Sequence, residues 1–361
     1  MVIAYIFLFL AILELVAIIV ACRILKKRKA VLWKRLLAIL LFLVLEFFTI
    51  RTAIFPPYDE IATDGPYEVS SEDYWVEKQV VGAYGNTTDI QIRAWYPVGY
   101  EGDDHTAKVV VFSHGSCGTI DNNISLYKEM ASHGYVVLAV AHPGQAFSMT
   151  KADGGSVRVD GDFLKEMTTV QPNKHPEEAF EVYQKWMNER MDELNLVMDD
   201  FKVKCAAGEK EYERIADAAV FIVAGHSLGG SAAYAMSRTR DDIIACIALE
   251  SPCMYDIKGV SNGKFVFDDS EYIVPTLNVY TDSSYPNLYE WQEYQNNVML
   301  LDSRNSHSIY YLGIGHMDIC DLSNSSPLLA AILGGTIADT NAETNLTRLN
   351  NDCMEFIESL E

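Results

Sequence analysis

Residues 220–235 read VFIVAGHSLGGSAAYA, and this stretch is the strongest indication of the fold class. The apolar run at 220–224 is typical of a buried strand, and the small residues after position 230 are typical of a closely packed helix. Between them Ser227 lies in a G-x-S-x-G pattern followed by a further glycine. A sharp strand–turn–helix of this kind predicts a serine raised above the sheet, with glycines where side chains would collide with the neighbouring strand and helix.

The same turn places the backbone N–H of Leu228 at the amino end of a helix, where developing negative charge is favoured. A glycine-rich turn that merely happens to contain a serine is the alternative interpretation of the bare five-residue pattern. Because a strand precedes the pattern here and a helix follows it, we predict that Ser227 is a nucleophile.

A second turn follows another apolar strand. Residues 112–118 read FSHGSCG and come directly after the valines at 109–111. A flexible loop at the carboxyl end of a strand lets a backbone N–H point into the crevice, and Ser116 is placed to give the second donor to an oxyanion. The side chain of His114 precedes the nucleophile in the chain, so we expect it to be structural rather than catalytic.

Three histidines lie at or beyond the serine turn, and one of them is expected to be the general base. His226 adjoins the nucleophile but is turned away from it, and His307 opens a predicted strand. His316 follows that strand in a flexible turn, Gly-Ile-Gly-His, from which an imidazole can return to the serine hydroxyl. We therefore predict that His316 takes the Ser227 proton, with a pKa of about 6.5 if its surroundings leave it unchanged.

The acid that orients this imidazole has two candidates. Eleven Asp or Glu residues lie between Ser227 and His316, and two of them come just past the end of a predicted strand. Glu250 ends the strand at 243–249, and Asp282 follows the strand at 275–280. Either carboxylate could hold the imidazole in the right tautomer, and spacing alone leaves the two level.

The chain after residue 55 alternates strands and helices. Continuous apolar runs suit strands that are buried on both faces of a parallel sheet. The predicted strands are 75–81 and 90–96, as an antiparallel start, then 108–112, 135–141, 218–224, 243–249, 275–280 and 307–312. The predicted helices are 124–133, 177–201, 229–238 and 343–360. The alternation predicts a single α/β domain at 56–361 with a mostly parallel central sheet. Residues 148–174 show no period and are either part of a lid over the crevice or an excursion.

Charge divides the chain into two parts. The 361 residues carry 50 acidic and 28 basic side chains, a net charge of −22, which argues against nucleic acid as a partner because phosphate binding needs clustered Lys and Arg. Residues 1–51 hold eight of the basic side chains and only two acids, Glu14 and Glu46. The remainder has a net charge of −28, so the two parts are suited to different solvents.

The N-terminal part predicts a transmembrane hairpin at 1–55. Residues 2–22 are apolar enough to span a bilayer, and a second apolar run at 36–50 extends to 55 if Arg51 reaches the interface. The segment 23–35 between them is strongly basic, which places it in the cytoplasm and the domain after residue 55 outside the cytoplasm. The basic residues are Arg23, Lys26, Lys27, Arg28, Lys29, Lys34 and Arg35.

Two alternatives to this hairpin concern its two runs. A cleaved signal peptide is disfavoured because no basic segment precedes the first run and a second run follows it. The second run has 15 residues with Glu46 inside, and a position in the interface would leave the catalytic part in the cytoplasm. Glu14 and Glu46 are either a functional intramembrane pair or residues explained by helix packing and snorkelling.

Cysteine does not decide the compartment. Six of the seven cysteines lie in the outer domain, an even count that permits disulfides, but their spacing fits no disulfide framework and no metal site. Cys246 lies in an apolar strand pattern and is expected to be a small core residue.

With these residues identified, the outer domain resembles the α/β-hydrolases. Within them it is similar to the plasma-type platelet-activating-factor acetylhydrolases and to their bacterial dienelactone and polyester hydrolase relatives. The resemblance covers about residues 90–328. It is carried by RAWYP at 93–97, FSHG at 112–115, SHGYVV at 132–137, AVAH at 139–142, ERMDEL at 189–194 and the helix up to 201, the serine turn, IALE at 247–250, Gly315-His316 and the stretch 318–321.

The resemblance bears on the acid and on the oxyanion donors. In the acetylhydrolases the acid follows the strand after the serine helix in an Ala-Leu-Asp context, which Ala-Leu-Glu at 248–250 matches with Glu250 in place of Asp. In polyester and dienelactone hydrolases it follows the next strand, which here gives Asp282. The resemblance therefore favours Glu250 with Asp282 as the alternative, and it implies oxyanion donors at Leu228 and Ser116. Ser116-Cys117 stands where the family usually has an apolar residue and glycine.

Together these features predict a membrane-anchored serine esterase that works through an acyl-enzyme, with no metal and no organic cofactor. The resemblance implies short-chain acyl esters or phospholipid-type esters as substrates. The alternatives are a cell-wall or polysaccharide deacylase, an acyltransferase, and a membrane-anchored scaffold that has lost turnover.

Overall fold

The computed structural model describes residues 2–27, 31–85 and 87–360. It begins with two helices, α1 (Val2–Lys27) and α2 (Leu32–Ile54), which pack against each other. Both are long and apolar enough to cross a membrane, by length and composition. Arg28 and Lys29 of the predicted basic turn lie outside the described residues. Between the helices the Thr49 hydroxyl donates to Glu14 Oε1 at 3.0 Å, a contact of the kind that helix packing produces.

The rest of the chain alternates strands and helices as the sequence predicted. The strands are β1 (Val69–Glu77), β2 (Asp89–Pro97), β3 (Ala107–Ser113), β4 (Val136–Ala141), β5 (Ser148–Thr150), β6 (Ser156–Arg158), β7 (Ala216–His226), β8 (Ile243–Leu249), β9 (Ile257–Ser261), β10 (Lys264–Phe267), β11 (Thr276–Thr281) and β12 (Ser306–Tyr311). The helices are α3 (Ile124–Ser132), α4 (Gly161–Thr169), α5 (Pro176–Ala207), α6 (Glu211–Ile215), α7 (Leu228–Thr239), α8 (Gln295–Leu301), α9 (Leu322–Ser325), α10 (Pro327–Gly334) and α11 (Ala342–Glu358).

Eight strands form the central sheet in the order β1-β2-β4-β3-β7-β8-β11-β12. Strand β2 runs antiparallel to both of its neighbours, and the strands from β4 to β12 pair in parallel. The prediction of a mostly parallel α/β sheet with an antiparallel start is therefore confirmed.

The apolar run of β3 shows why its strand lies at the centre. Val109 and Val111 join the core on the face covered by α5 and α7, whereas Val110 and Phe112 join the core on the face covered by α3 and α11. Successive side chains of a strand point to opposite faces, so a strand between two helical layers needs apolar residues at every position. Cys246 of β8 is fully buried in the first of these cores.

Two segments differ from their predicted form. Strand β1 begins and ends earlier than the predicted 75–81, because its pairing with β2 runs from Val69 opposite Pro97 to Glu77 opposite Asp89. The segment 148–174, for which the sequence shows no period, contains the short hairpin β5–β6 and the helix α4.

The linker after α2 is attached to the domain at several points. The Ser326 hydroxyl before α10 donates to the Ile54 carbonyl at the end of α2, at 2.5 Å. Asp64 pairs with His133 at the end of α3 at 2.8 Å, and His133 also contacts Glu129 at 3.0 Å. In the part of the chain that the structure describes, these last three are the group whose ligand atoms lie close enough to hold a metal ion.

All seven cysteines are described, and each is a free thiol. The division of the chain at about residue 55 stays a prediction.

Candidate active site

The serine turn lies at the carboxyl edge of the sheet, between β7 and α7. Ser227 has φ 55° and ψ −124°, a conformation that costs a non-glycine residue free energy and is found at functional sites. Two glycines make the turn possible. A Cβ atom at Gly229 would lie 1.9 Å from the Ser113 carbonyl oxygen, and one at Gly230 would lie 2.0 Å from Ser251 Oγ. The α7 backbone therefore packs directly against the ends of the neighbouring strands.

Both predicted oxyanion donors lie beside this serine. Leu228 follows it, and a Cβ atom at Gly115, the residue before Ser116, would lie 3.2 Å from Ser227 Cβ. Neither the Leu228 nor the Ser116 amide donates a hydrogen bond to any residue that the structure describes. A developing oxyanion requires backbone amides near the nucleophile that are free to donate.

The predicted base also lies at this edge. The N–H of His316 donates to Ser283 Oγ at 2.9 Å, and its ring packs 4.6 Å from the ring of His226, the neighbour of Ser227. His226 Nε2 contacts the His316 carbonyl at 3.1 Å, so His226 supports the His316 loop instead of the nucleophile. Burial lowers the pKa of His316 to about 4, below the ordinary value expected from the sequence. His307 lies exposed near the amino end of β12.

The two candidate acids have different surroundings. Glu250 is 1% exposed, has φ 55°, and accepts from the Thr281 N–H at 2.5 Å and the Thr281 hydroxyl at 2.8 Å. Burial raises its pKa to about 7. Asp282 accepts from the Tyr310 hydroxyl and, at 3.0 Å, from the Gly313 N–H in the turn that leads to His316.

The structure brings these residues to one edge without joining them into a relay. Ser227 N–H donates to the Leu249 carbonyl at 2.8 Å, which ties the nucleophile to the residue before Glu250. Among the described residues, no hydrogen bond joins the side chains of Ser227, His316 and either acid. Catalytic hydrogen bonds often tighten only when substrate binds, and the assignment of the triad stays a prediction.

A buried polar network behind the site was missed by the sequence reasoning. Arg190 and Glu193 of α5 are both 0% exposed, beneath the loop that carries Ser116. The stretch 189–194 carries part of the family resemblance, but charged residues on a helix normally lie on its solvent face, so the sequence predicted no role for these two at the site. The available signal was their spacing, since Arg190 lies among buried residues at helical intervals, with Met187 before it and Leu194 after it.

One side of the site is a wall of apolar side chains. Leu228 is buried in a cluster with aromatic residues of α4, α5 and β10, including Phe163, Trp186 and Phe265. Glu166 of α4 accepts from the Trp186 indole N–H at 3.1 Å, which fastens α4 to this cluster. The irregular segment 148–174 thus packs against the cluster that holds Leu228.

The residues from 97 to 356, more than two thirds of the chain, match the family described as platelet-activating factor acetylhydrolase, isoform II. The chain belongs to this family. The expected resemblance is confirmed, and membership makes the chain a hydrolase of carboxylic esters. No curated protein matches the chain.

Among solved structures, a ferulic acid esterase from Streptomyces cinnamoneus is similar in fold. It has 16% sequence identity and a TM-score of 0.59, with 84% of this chain and 93% of that chain covered. At this identity the likeness shows the fold alone, which agrees with the α/β-hydrolase architecture described above.

Proposed function

We propose that this acetylhydrolase-family chain is a membrane-anchored serine esterase in which Ser227 is the nucleophile and His316 the general base. His316 takes the hydroxyl proton as Ser227 attacks the ester carbonyl, and the Leu228 and Ser116 amides hold the tetrahedral oxyanion. The alcohol leaves with the proton from His316, and water then hydrolyses the acyl-enzyme by the same route. The single observation that carries the proposal is the strained Ser227 beside two backbone amides, those of Leu228 and Ser116, that donate to none of the described residues.

Glu250 is the acid we propose for the triad. A buried carboxylate without a cationic partner is costly, and such groups cluster at functional sites. Asp282 instead has an evident structural task, because its two oxygens hold Tyr310 and the Gly313 turn in place. We therefore assign Asp282 to positioning the loop of His316.

A lipid-type substrate with a short acyl chain is the class that we propose. The family is named after an acetylhydrolase of platelet-activating factor, and the apolar cluster around Leu228 suits an apolar group next to the oxyanion. Helix α10 adds support, since it contacts α2 and presents Ile332 and Leu333 with 65% and 66% of their surface exposed. Helix α10 also packs against the 3₁₀ turn His316–Ile319, so it contacts both the proposed anchor and the turn that carries the proposed base.

The proposed topology places the domain outside the cytoplasm. Its support is the charge pattern, with basic residues at the α1–α2 connection and an excess of acids after residue 55. A cysteine-reactive impermeant reagent tests it on a variant with Tyr58→Cys, an exposed position just after α2. Labelling of this cysteine in intact cells supports the topology, and labelling only after lysis refutes it.

The first experiment uses the full chain in lipid nanodiscs, with p-nitrophenyl esters from acetate to palmitate. Turnover of acetate and butyrate that disappears in Ser227→Ala, with the variant still folded, supports the esterase. A fluorophosphonate label on Ser227 separates an active hydrolase from a scaffold without turnover. Alcohol acceptors supplied beside water separate hydrolysis from acyl transfer, and release of acetate from acetylated polysaccharide tests the deacylase alternative.

A further inference from the structure

The carbonyl groups of the loop after β3 converge on one buried side chain. Arg190 donates to the backbone oxygen of His114 and, at a longer 3.5 Å, to that of Gly115. Its other N–H groups reach Ser113 Oγ at 3.0 Å and Gln145 Oε1 at 2.7 Å. Among the described residues no carboxylate accepts from this guanidinium. A fully buried cation is therefore solvated largely by the loop itself, and burial lowers its pKa to about 9.

The Gly115 carbonyl accepts two further hydrogen bonds, from Nδ1 of His114 at 2.6 Å and from the Gly118 N–H at 3.0 Å. Nε2 of His114 accepts from the His142 N–H at 3.2 Å, which assigns the His114 proton to Nδ1. A trans peptide is planar, so the Gly115 C=O and the Ser116 N–H point in opposite directions. Holding the carbonyl therefore aims the Ser116 amide, and hydrogen bonds to the carbonyl strengthen that amide as a donor.

Further hydrogen bonds fix the orientation of this arrangement. The Ser113 hydroxyl, which accepts from Arg190, contacts His142 Nε2 at 2.8 Å. His142 Nδ1 contacts Glu193 Oε2 at 2.7 Å, and the Lys78 ammonium pairs with Glu193 Oε1 at 2.8 Å. With Nδ1 donating to the carboxylate, every hydrogen bond from Arg190 to Glu193 runs in one direction. In this chain from Arg190 to Glu193 each donor has its acceptor, and a buried chain of this kind favours a single geometry.

We propose that Arg190 is a positioning residue of the oxyanion hole, which together with His114 aims the Ser116 amide and adds positive charge beside the oxyanion. The inference rests on the proposed function, because it takes Ser116 as a donor. Preorganised charge at such a position acts mainly on the transition state and not on the bound ester. The field of Arg190 reaches the loop, since it opposes the rise that burial causes in the pKa of Cys117.

The test measures two quantities in the full chain in nanodiscs. One is kcat and KM for p-nitrophenyl acetate, and the other is the affinity of a trifluoromethyl ketone, whose adduct with the serine carries an oxyanion. For Arg190→Met we expect kcat to fall by roughly 10²-fold with KM within about twofold, and the ketone to bind weaker by a similar factor. Arg190→Lys keeps the charge but not the fork of donors, so its kcat is expected to lie between those of the wild type and Arg190→Met.

Arg238→Met is the matched control. Arg238 is also largely buried on a helix and donates to a backbone carbonyl, that of Glu271 at 2.9 Å. It differs in pairing with Asp256 at 3.2 Å and in lying at the far end of α7 from Ser227. We expect this variant to lower the thermal midpoint while leaving kcat and the ketone affinity within twofold. A purely structural role for Arg190 predicts the same behaviour for both arginine variants, and that result would overturn the inference.

A pair of His114 variants decides the matter if Arg190→Met does not fold. His114→Asn places an amide N–H near the position of Nδ1, so it is expected to keep most of kcat, whereas His114→Leu removes the donor and is expected to lose about tenfold. Equal kcat in the two would contradict the inference. If the folded wild-type chain turns over no ester, the proposed function is refuted as well. If the wild type is active and the variants keep its kcat, only the role of Arg190 is refuted.

Discussion

Replacement of Glu250 by glutamine should make the protein more stable and much less active. Burial raises the pKa of Glu250 from its ordinary 4.5 to about 7. That difference corresponds to roughly 3 kcal/mol of folding free energy lost when the group ionises in the folded state. Because the folded pKa is the higher one, the protonated carboxyl favours folding below pH 4.5, and this advantage disappears as pH rises through about 7.

Glutamine is neutral at every pH and can keep both contacts with Thr281. Its oxygen can accept from the Thr281 N–H, and its amide can donate to the Thr281 hydroxyl, which is free to rotate. At pH 8 we therefore expect Glu250→Gln to unfold several degrees above the wild type. Because Glu250 is the proposed triad acid, Glu250→Gln should lower kcat by about 10²- to 10⁴-fold.

Asp282→Asn is the matched comparison, because it removes the other candidate carboxylate. Asparagine can also keep both contacts, since its oxygen can accept from the Gly313 N–H and its amide can donate to the Tyr310 hydroxyl. We therefore expect a thermal midpoint close to that of the wild type and a smaller loss of kcat than in Glu250→Gln. The assays are differential scanning calorimetry at pH 6 and pH 8 and hydrolysis of p-nitrophenyl acetate. A larger kcat loss in Asp282→Asn, or a Glu250→Gln variant less stable at pH 8, would refute the reasoning.

Three further outcomes are expected. In the wild type, kcat/KM should fall as pH drops through about 7, where Glu250 protonates. The residual kcat/KM of Glu250→Gln should persist until pH approaches about 4, the pKa of His316. If kcat/KM of both proteins fell over the same acidic pH range, both assignments would be contradicted. Gly229→Ala should lower the free energy of unfolding by at least about 2 kcal/mol because of its 1.9 Å approach to Ser113, whereas Gly259→Ala, with open space around it, should change it by less than about 1 kcal/mol in chemical denaturation. Since every cysteine is a free thiol, dithiothreitol should leave the thermal midpoint unchanged, and a fall on reduction would show a disulfide.

Much of the fold could be predicted because its signals are local. Local sequence predicts the backbone conformation of three segments: the run at 220–224, the glycines around Ser227 and the valines of β3. In each of them the neighbouring residues alone are enough for the prediction. The candidate serine, histidine and oxyanion amides follow from the same kind of signal. Each comes just after an apolar run, and parallel strands bring their carboxyl ends to one edge.

The charge asymmetry and the two apolar helices are also local properties. A bilayer is recognised by the length and polarity of a segment, and the spans predicted near 2–22 and 36–55 lie largely within α1 and α2. The helices extend further only at their basic ends, where Lys and Arg continue a helix without cost in propensity.

Other properties depended on packing between distant segments. The sequence spacing of Glu250 and Asp282 favours neither as the acid. They differ only in their surroundings, since Glu250 is enclosed at the end of β8 and Asp282 holds the turn after β12 in place. The low pKa of His316 has the same origin, since desolvation is set by whatever surrounds a group in three dimensions.

The α/β sheet, the serine turn and the apolar N-terminal helices follow from the sequence, because backbone conformation and hydrophobic periodicity are encoded within a few residues. The position of Arg190 beneath the loop of Ser116 follows only from packing between distant segments. That position joins Arg190 to the carbonyl groups of His114 and Gly115, which lie 76 and 75 residues before it in the chain. A buried charge is tolerated there because distant carbonyl groups surround it, and no local pattern records which groups those will be.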